Sequence, residues 1–259
     1  MVYITGDTHG NWSRIENLKY LTDEDTVIVC GDFGLWHETP KETAGLDRLN
    51  SLPFTTLWVD GNHENFSRLN SGEFETVDYH GAQAHKIRDR VLHIKRGEIV
   101  TLEGRTFWCF GGASSHDIRD GIIDPDKYRT KEDFDKAVMI ARYEGKQFRV
   151  KGLSWWPEEL PSNEEMGHGT ATLIDCGWKV DYVVTHCAPM RVQSMLGFHG
   201  QDKLTLYFDA MLSDGLDFKR WFFGHYHMSR THMLDDRFMC LWGDIVPAWP
   251  VWAETEEKG

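Results

Sequence analysis

Five short groups of residues in this 259-residue chain carry side chains that can hold a metal or move a proton: Asp7-x-His9, Gly31-Asp32, Gly61-Asn62-His63-Glu64, His186 and Gly224-His225-x-His227. An Asp and a His two residues apart at the end of an extended strand point towards the same space, because side chains at i and i+2 share a face. That is a ligand geometry, and it gains weight only from the groups that answer it downstream. Imidazole, carboxylate and amide oxygen together suit Mn²⁺, Fe or Zn²⁺ better than an ion that demands thiolate. Two such cations, about 3.5–4 Å apart, can share a carboxylate and a hydroxide and clamp both oxygens of an in-line displacement at phosphorus.

The elements that must position these groups are legible around them. Val2-Tyr3-Ile4, Thr26 to Cys30 and Thr55 to Val59 are short apolar, β-rich runs, each followed by a polar turn, with helices expected from Ser13 to about Tyr20 and from Pro40 to Leu49. Ser13-x-x-Glu16 has capping-box spacing, and Pro40 suits a first helical turn. In such a β-α-β-α-β arrangement ligands bind beyond the carboxyl ends of the strands, so Asp7, His9, Asp32, Asn62 and His63 should converge there. Val91 to Phe110 alternates as in hairpins, with strands at 91–94, 99–102 and 106–110 and turns near Lys95–Glu98 and at Glu103-Gly104. Helices are expected at Lys131–Arg142 and Asn163–Leu173. Further buried strands at 181–185 and 221–223 deliver His186 and His225-x-His227, and Phe238 to Trp242 reads as a last sheet strand. Glu254 to Gly259 reads as a frayed polar tail.

Lys plus Arg number 28 against 41 Asp plus Glu, a formal charge of −13. Such a balance disfavours extended nucleic-acid binding, yet bound cations would reverse the field where an anionic substrate lands. The five cysteines are scattered through mostly apolar runs and read as reduced core residues. With no signal-like start and no long apolar segment, we expect a soluble cytoplasmic protein that does not engage a membrane. No linker or repeat divides the chain, so one domain is expected over 1–259, with an excursion at about 113–161 lying over one face and covering the active site. Oligomeric state is not legible.

The five groups, in this order and with these flanking strands, resemble the calcineurin-like metallophosphoesterase superfamily over residues 3 to 227. The resemblance implies a four-layer α/β/β/α sandwich with two mixed β-sheets. It implies two divalent metal ions, Mn²⁺ in the first place, with Fe, Zn²⁺ or Mg²⁺ as alternatives. One ion would be held by Asp7, His9, Asp32 and His227 and the other by Asp32, Asn62, His186 and His225, with Asp32 bridging. It further implies hydrolysis of a phosphomonoester or phosphodiester by a metal-bridging hydroxide, with His63 as general acid towards the leaving alkoxide.

The second group departs from the phosphoprotein phosphatases. Where they carry Gly-Asp-x-Val-Asp-Arg-Gly, this chain has Gly31-Asp32-Phe33-Gly34-Leu35-Trp36, without the Asp that orients the catalytic His or the Arg that grips phosphate. A serine/threonine-type protein phosphatase is therefore an alternative only. Arg68, Asp117, Arg119 and Arg149 are candidate substrate-side groups, and Glu64 is either a second-layer support or a solvated helix start. Gly-Gly-Ala-x-Ser at 111–115 and Ser-Trp-Trp-Pro-x-Glu at 154–159 place the chain nearer small bacterial or phage-borne members. Trp155 and Trp156 could stack on a base or sugar, with core packing the default. His37, His80, His85, His93, His116, His168, His199 and His232 match none of the groups and are expected at the surface or in the core. The rival from another class is a non-catalytic metal-binding scaffold of the same fold, such as the retromer subunit. Such a protein can lose ligands without losing its fold, whereas every group is present here.

Overall fold

The computed structural model of the chain describes residues 1–233 and 236–250, with the side chains of 230–233 outside that description. The expected tail, Glu254 to Gly259, lies outside the described residues. The first half alternates as the apolar runs require: β1 (Val2–Thr5), α1 (Ser13–Glu16), β2 (Thr26–Val29), α2 (Pro40–Asn50), β3 (Thr55–Trp58) and α3 (Phe66–Leu69). Five antiparallel-prone strands follow: β4 (Glu75–Tyr79), β5 (Ala82–Arg88), β6 (Val91–Ile94), β7 (Glu98–Leu102) and β8 (Arg105–Phe110). The excursion holds the two-residue strands β9 (Ile122–Ile123) and β10 (Arg149–Val150), which pair with each other, and α4 (Lys131–Tyr143). Then come α5 (Asn163–Asp175), β11 (Tyr182–Thr185), α6 (Met190–Met195), α7 (Lys203–Ser213) and β12 (Arg220–Phe223). The last strands are β13 (Arg230–Met233), β14 (Phe238–Cys240) and β15 (Ile245–Pro247).

Two mixed sheets result, one of seven strands in the order β15-β1-β2-β3-β6-β5-β4 and one of six in the order β13-β14-β12-β11-β8-β7. Each has four parallel strands at its centre and antiparallel strands at its edges. Register puts Ile4, Ile28, Leu57 and Leu92 in one row of the first sheet, and Cys109, Val184, Phe222 and Met239 in one row of the second. These rows belong to the same apolar cluster, which fills the space between the sheets. The alternate residues face outward. Val27, Val29 and Trp58 pack under Ile15, Leu46 and Leu49 of α1 and α2. Trp108, Val183 and Trp221 pack under Leu173, Leu204 and Phe208 of α5 and α7. Helices thus cover the outer face of each sheet, giving the α/β/β/α order, and a central strand apolar on both faces reads as one continuous run. Each fully buried side chain of this size contributes roughly 1.5–3 kcal/mol.

Three local expectations are corrected. The helix expected to reach Tyr20 is a single turn, Ser13–Glu16, and Ser13 is not its cap. Its N–H and hydroxyl both bond Asn11 Oδ1, at 3.3 and 2.8 Å, so the local Asx interaction displaces the capping box. Second, Val91–Ile94 and Ile99–Leu102 are not a hairpin: β6 lies between β3 and β5, whereas β7 pairs with β8, so Lys95–Gly97 carries the chain from one sheet to the other. Alternation reports that a strand has two faces, not which sheet accepts it. Third, the strand from Phe238 ends at Cys240 and is not the last, since β15 returns to the first sheet and pairs with β1. The five cysteines are free, and no described helix is long and apolar enough to cross a membrane.

Candidate metal centre

The central parallel strands of both sheets run out at one end of the sandwich. Asp7 and His9 follow β1, Asp32 follows β2, Asn62 and His63 follow β3, His186 follows β11, and His225 and His227 follow β12. Four of these residues hold left-handed backbone, with φ of 45° at His9, 46° at Asp32, 69° at His225 and 49° at His227. Each such residue costs about 1–2 kcal/mol, and a cluster of them marks a site whose geometry is imposed by its surroundings. Two glycines admit the close approach. A Cβ on Gly61 would overlap Asp32 Oδ1, and a Cβ on Gly224 would overlap Asp7 Oδ1. Gly61→Ala is expected to displace Asp32, costing about 1–3 kcal/mol by overpacking, or several degrees of Tm. An unchanged melting temperature by calorimetry would contradict this packing.

Asp7, His9 and His227 each bring one donor atom to within 4.8 Å of the others, as do Asp7, Asp32 and His186. His9 Nε2 and His227 Nε2 face each other at 3.1 Å, with Asp7 Oδ2 3.8 Å from the first and 3.3 Å from the second. Asp7 Oδ2 is buried and makes no hydrogen bond. Its partner oxygen, Oδ1, accepts the His225 N–H at 2.9 Å. Asp32 Oδ2 lies 3.5 Å from His186 Nε2 and 3.8 Å from His9 Nδ1, between the two donor groups. His186 donates Nδ1–H to the Cys30 carbonyl at 2.7 Å, which turns Nε2 towards Asp32 and towards Asn62 Oδ1 at 3.2 Å. Burial opposes charge on His186, yet Asp32 and Asp7 outweigh it and raise its pKa to about 10. Burial likewise disfavours ionised Asp32, and His186, His63 and His9 pull its pKa well below the usual carboxylate range. An orphaned carboxylate oxygen, opposed imidazole nitrogens and a demand for buried positive charge fit divalent cations.

The surrounding shell contains groups that spacing did not single out. The Arg14 guanidinium ties the Gly6, Asp7 and Trp242 carbonyls together. The Trp242 ring lies on His227 at 3.9 Å between centroids, and the His116 ring meets His225 edge-on at 5.2 Å. Asp60, just before Gly61, is buried against Arg96 and His93 at 2.5 and 3.2 Å. No sequence signal marked Arg14 or Trp242, because each acts on residues more than two hundred positions away or at a strand end fixed only by folding. Glu64 is fully buried and supports Asp32 from below, accepting the amides of Phe33 at 2.6 Å, Gly34 at 3.3 Å and Leu35 at 3.0 Å. Burial and Asp32 push its pKa up to about 8 against those amides.

His63 Nε2 stands 3.9 Å from Asp32 Oδ2, beyond the metal-donor groups. The Arg149 guanidinium lies against the ring, its terminal nitrogens 2.9 Å from each ring nitrogen. Arg149 is held by Asp117 at 2.7 and 2.6 Å and by the Ser154 carbonyl at 2.9 Å. Burial, partly opposed by Asp32 and reinforced by Arg149, lowers His63 to about 4. Of the candidate substrate-side groups, Asp117 and Arg149 are therefore brought to the centre. Arg68 is not: Glu42 and Glu73 engage it at 2.6 and 2.5 Å. Arg119 is exposed beside Asp120. Trp156 is buried under α3, its N–H on Ser67 Oγ at 2.8 Å. A cavity of about 340 Å³ opens against His9 and Trp36, and another of about 270 Å³ against His116 and His225. A roomier one, about 560 Å³, is lined by His85, His93 and Glu98 and contains none of the donor groups.

One solved structure, of the protein of unknown function AQ665 from Aquifex aeolicus, is similar at 20% identity over 61% of this chain and 81% of that one, with a TM-score of 0.27, too slight a likeness to bear on fold or function. No curated protein matches the chain. The model of the calcineurin-like phosphoesterases matches residues 1–229, a span that takes in every strand-end loop described above. The chain belongs to the calcineurin-like phosphoesterase family, the metal-dependent hydrolases of phosphoester bonds.

Proposed function

We propose that the strand-end centre hydrolyses a phosphomonoester or phosphodiester. Asp7, His9, Asp32 and His227 would hold one divalent cation, and Asp32, Asn62, His186 and His225 would hold a second. The observation that carries this reading is Asp7 Oδ2, buried without a hydrogen bond beside two imidazole nitrogens that face each other at 3.1 Å. When bound, the cations supply Lewis acidity and offset the charge of a phosphoryl group.

The chain's own residues do the rest. Arg149, aligned by Asp117, donates its remaining N–H to a non-bridging phosphoryl oxygen, a charge-assisted hydrogen bond. His63 holds a proton at a ring nitrogen for the departing alkoxide. A phosphate anion bound beside the His63–Arg149 pair brings the negative charge that retains this proton on the imidazole. Glu64 keeps the Asp32 loop in place, and Trp36 donates its indole N–H to the His63 carbonyl at 2.9 Å, fixing that backbone. Positioning and charge are most of what phosphoryl transfer asks of a protein.

The test is to strip metal, restore Mn²⁺, and follow p-nitrophenyl phosphate and bis-p-nitrophenyl phosphate. Metal-dependent turnover of either is the expected result, and the preferred ester assigns monoesterase or diesterase. Two bound Mn²⁺ with turnover of neither would favour the scaffold.

A further inference from the structure

Asn62 can serve a cation only through Oδ1, and an amide side chain has two orientations of nearly equal shape. Hydrogen bonding around it is asymmetric. Asn62 Nδ2 lies 3.2 Å from Ser115 Oγ, and Ser115 Oγ lies 2.6 Å from Glu159 Oε2. The Ser115 backbone N–H goes to Glu159 Oε1 at 2.9 Å. A carboxylate only accepts, so it takes both of Ser115's protons. The hydroxyl then has lone pairs alone to offer Asn62. Only the NH₂ end of the amide can answer, and Oδ1 is left facing His186 Nε2.

We infer that Ser115 and Glu159 are positioning residues that set the amide orientation of Asn62 for the second cation. The inference rests on the dimetal reading above. It also connects two otherwise unexplained sequence stretches, Gly-Gly-Ala-x-Ser at 111–115 and Ser-Trp-Trp-Pro-x-Glu at 154–159, which meet at one side chain of the centre. These stretches are the two ends of the excursion that carries Asp117 and Arg149 to His63. The same chain segment thus completes the metal shell at its ends and the phosphate grip between them.

Glu159→Gln is the discriminating variant. It preserves shape and packing, but a glutamine that accepts the Ser115 N–H turns its NH₂ towards Oγ. The hydroxyl proton is then released towards Asn62, which favours the opposite amide orientation, with NH₂ towards the cation. Ser115→Ala removes the acceptor altogether, and Ser115→Thr keeps it. Mn²⁺ is titrated calorimetrically into metal-free wild type and the three variants, with circular dichroism to verify folding. Wild type is expected to bind two equivalents. Glu159→Gln and Ser115→Ala should weaken one of the two by ~10–100-fold, the usual effect of losing a group that orients a ligand, while Ser115→Thr should bind as wild type does. A folded Glu159→Gln or Ser115→Ala protein that binds both equivalents with wild-type affinity overturns the inference. Wild type that binds no Mn²⁺ overturns the dimetal reading itself.

Discussion

Asp32→Asn is expected to abolish phosphoester turnover, with a loss of at least ~10³-fold by analogy with removing one electrostatic group from an active site, or about 4 kcal/mol of transition-state stabilisation. The size follows from position. Asp32 Oδ2 lies 3.5 Å from His186 and 3.8 Å from His9, so its charge serves both donor groups at once. Its other oxygen accepts the His63 N–H at 2.8 Å and also sets the backbone of that residue. Asparagine is nearly isosteric and spares the core, so the fold should persist. The distinguishing measurement is thermal. A cation bound only by the folded state at 100 times its Kd stabilises by about 2.7 kcal/mol, which in a protein of this size is roughly 5–10 °C. Wild type should show that rise with Mn²⁺ and Asp32→Asn should not. A variant that keeps both its turnover and its Mn²⁺-dependent rise would remove Asp32 from the centre.

Arg149→Ala is expected to lower kcat/KM by ~10²–10³-fold, the range for a preorganised donor at developing charge. Three of the five guanidinium N–H groups are directed to Asp117 and the Ser154 carbonyl, and a neutral imidazole accepts at one nitrogen only, so at least one N–H is left for a phosphoryl oxygen. Lysine should not rescue, since it cannot reproduce the paired contact with Asp117. His63→Ala should cost ~10²–10⁴-fold, as general acids do, and the loss should be smaller with p-nitrophenyl phosphate, whose leaving group departs without a proton, than with an alkyl phosphate. Because Arg149 and His63 touch, their effects should not add. Arg68→Ala, paired to Glu42 and Glu73 instead, is the control and should leave kcat/KM unchanged. Steady-state kinetics over these variants and both substrates checks the set; an Arg149→Ala enzyme with wild-type kcat/KM would show that the guanidinium grips nothing.

Elements whose rules are local were readable in the chain. Val27 to Cys30 is apolar at every position because Val27 and Val29 meet helices while Ile28 and Cys30 meet the other sheet, and only a strand between two covered faces demands that. Pro40 opens α2 as its first-turn residue, another short-range relation. Ser13-x-x-Glu16 had the right letters and still failed as a cap, because Asn11 was nearer to the serine's donors. The β4–β5 hairpin at 75–88 leaves no such mark in the chain, since its edge strand β4 is largely exposed and carries little apolar signal.

What the chain determined by itself was the repeated unit: an apolar run that must be a buried strand, a polar turn beyond it, and in five such turns the side chains that can hold a cation. A strand's carboxyl end needs no distant information, so the order and chemistry of those groups followed from residue types and spacing, while the four-layer class came only with the family those groups resemble. Tertiary structure alone decided which strands share a sheet, as when Lys95–Gly97 became a crossing between sheets instead of a hairpin turn. It also decided which long-range partners complete each group: Arg149 against His63 across 86 positions, Glu159 against Ser115 across 44, Arg14 against Trp242 across 228. Such contacts leave no period in the sequence. They exist because folding removes water from polar groups that must then find one another, and the nearest partner in space is set by the packing of both sheets together.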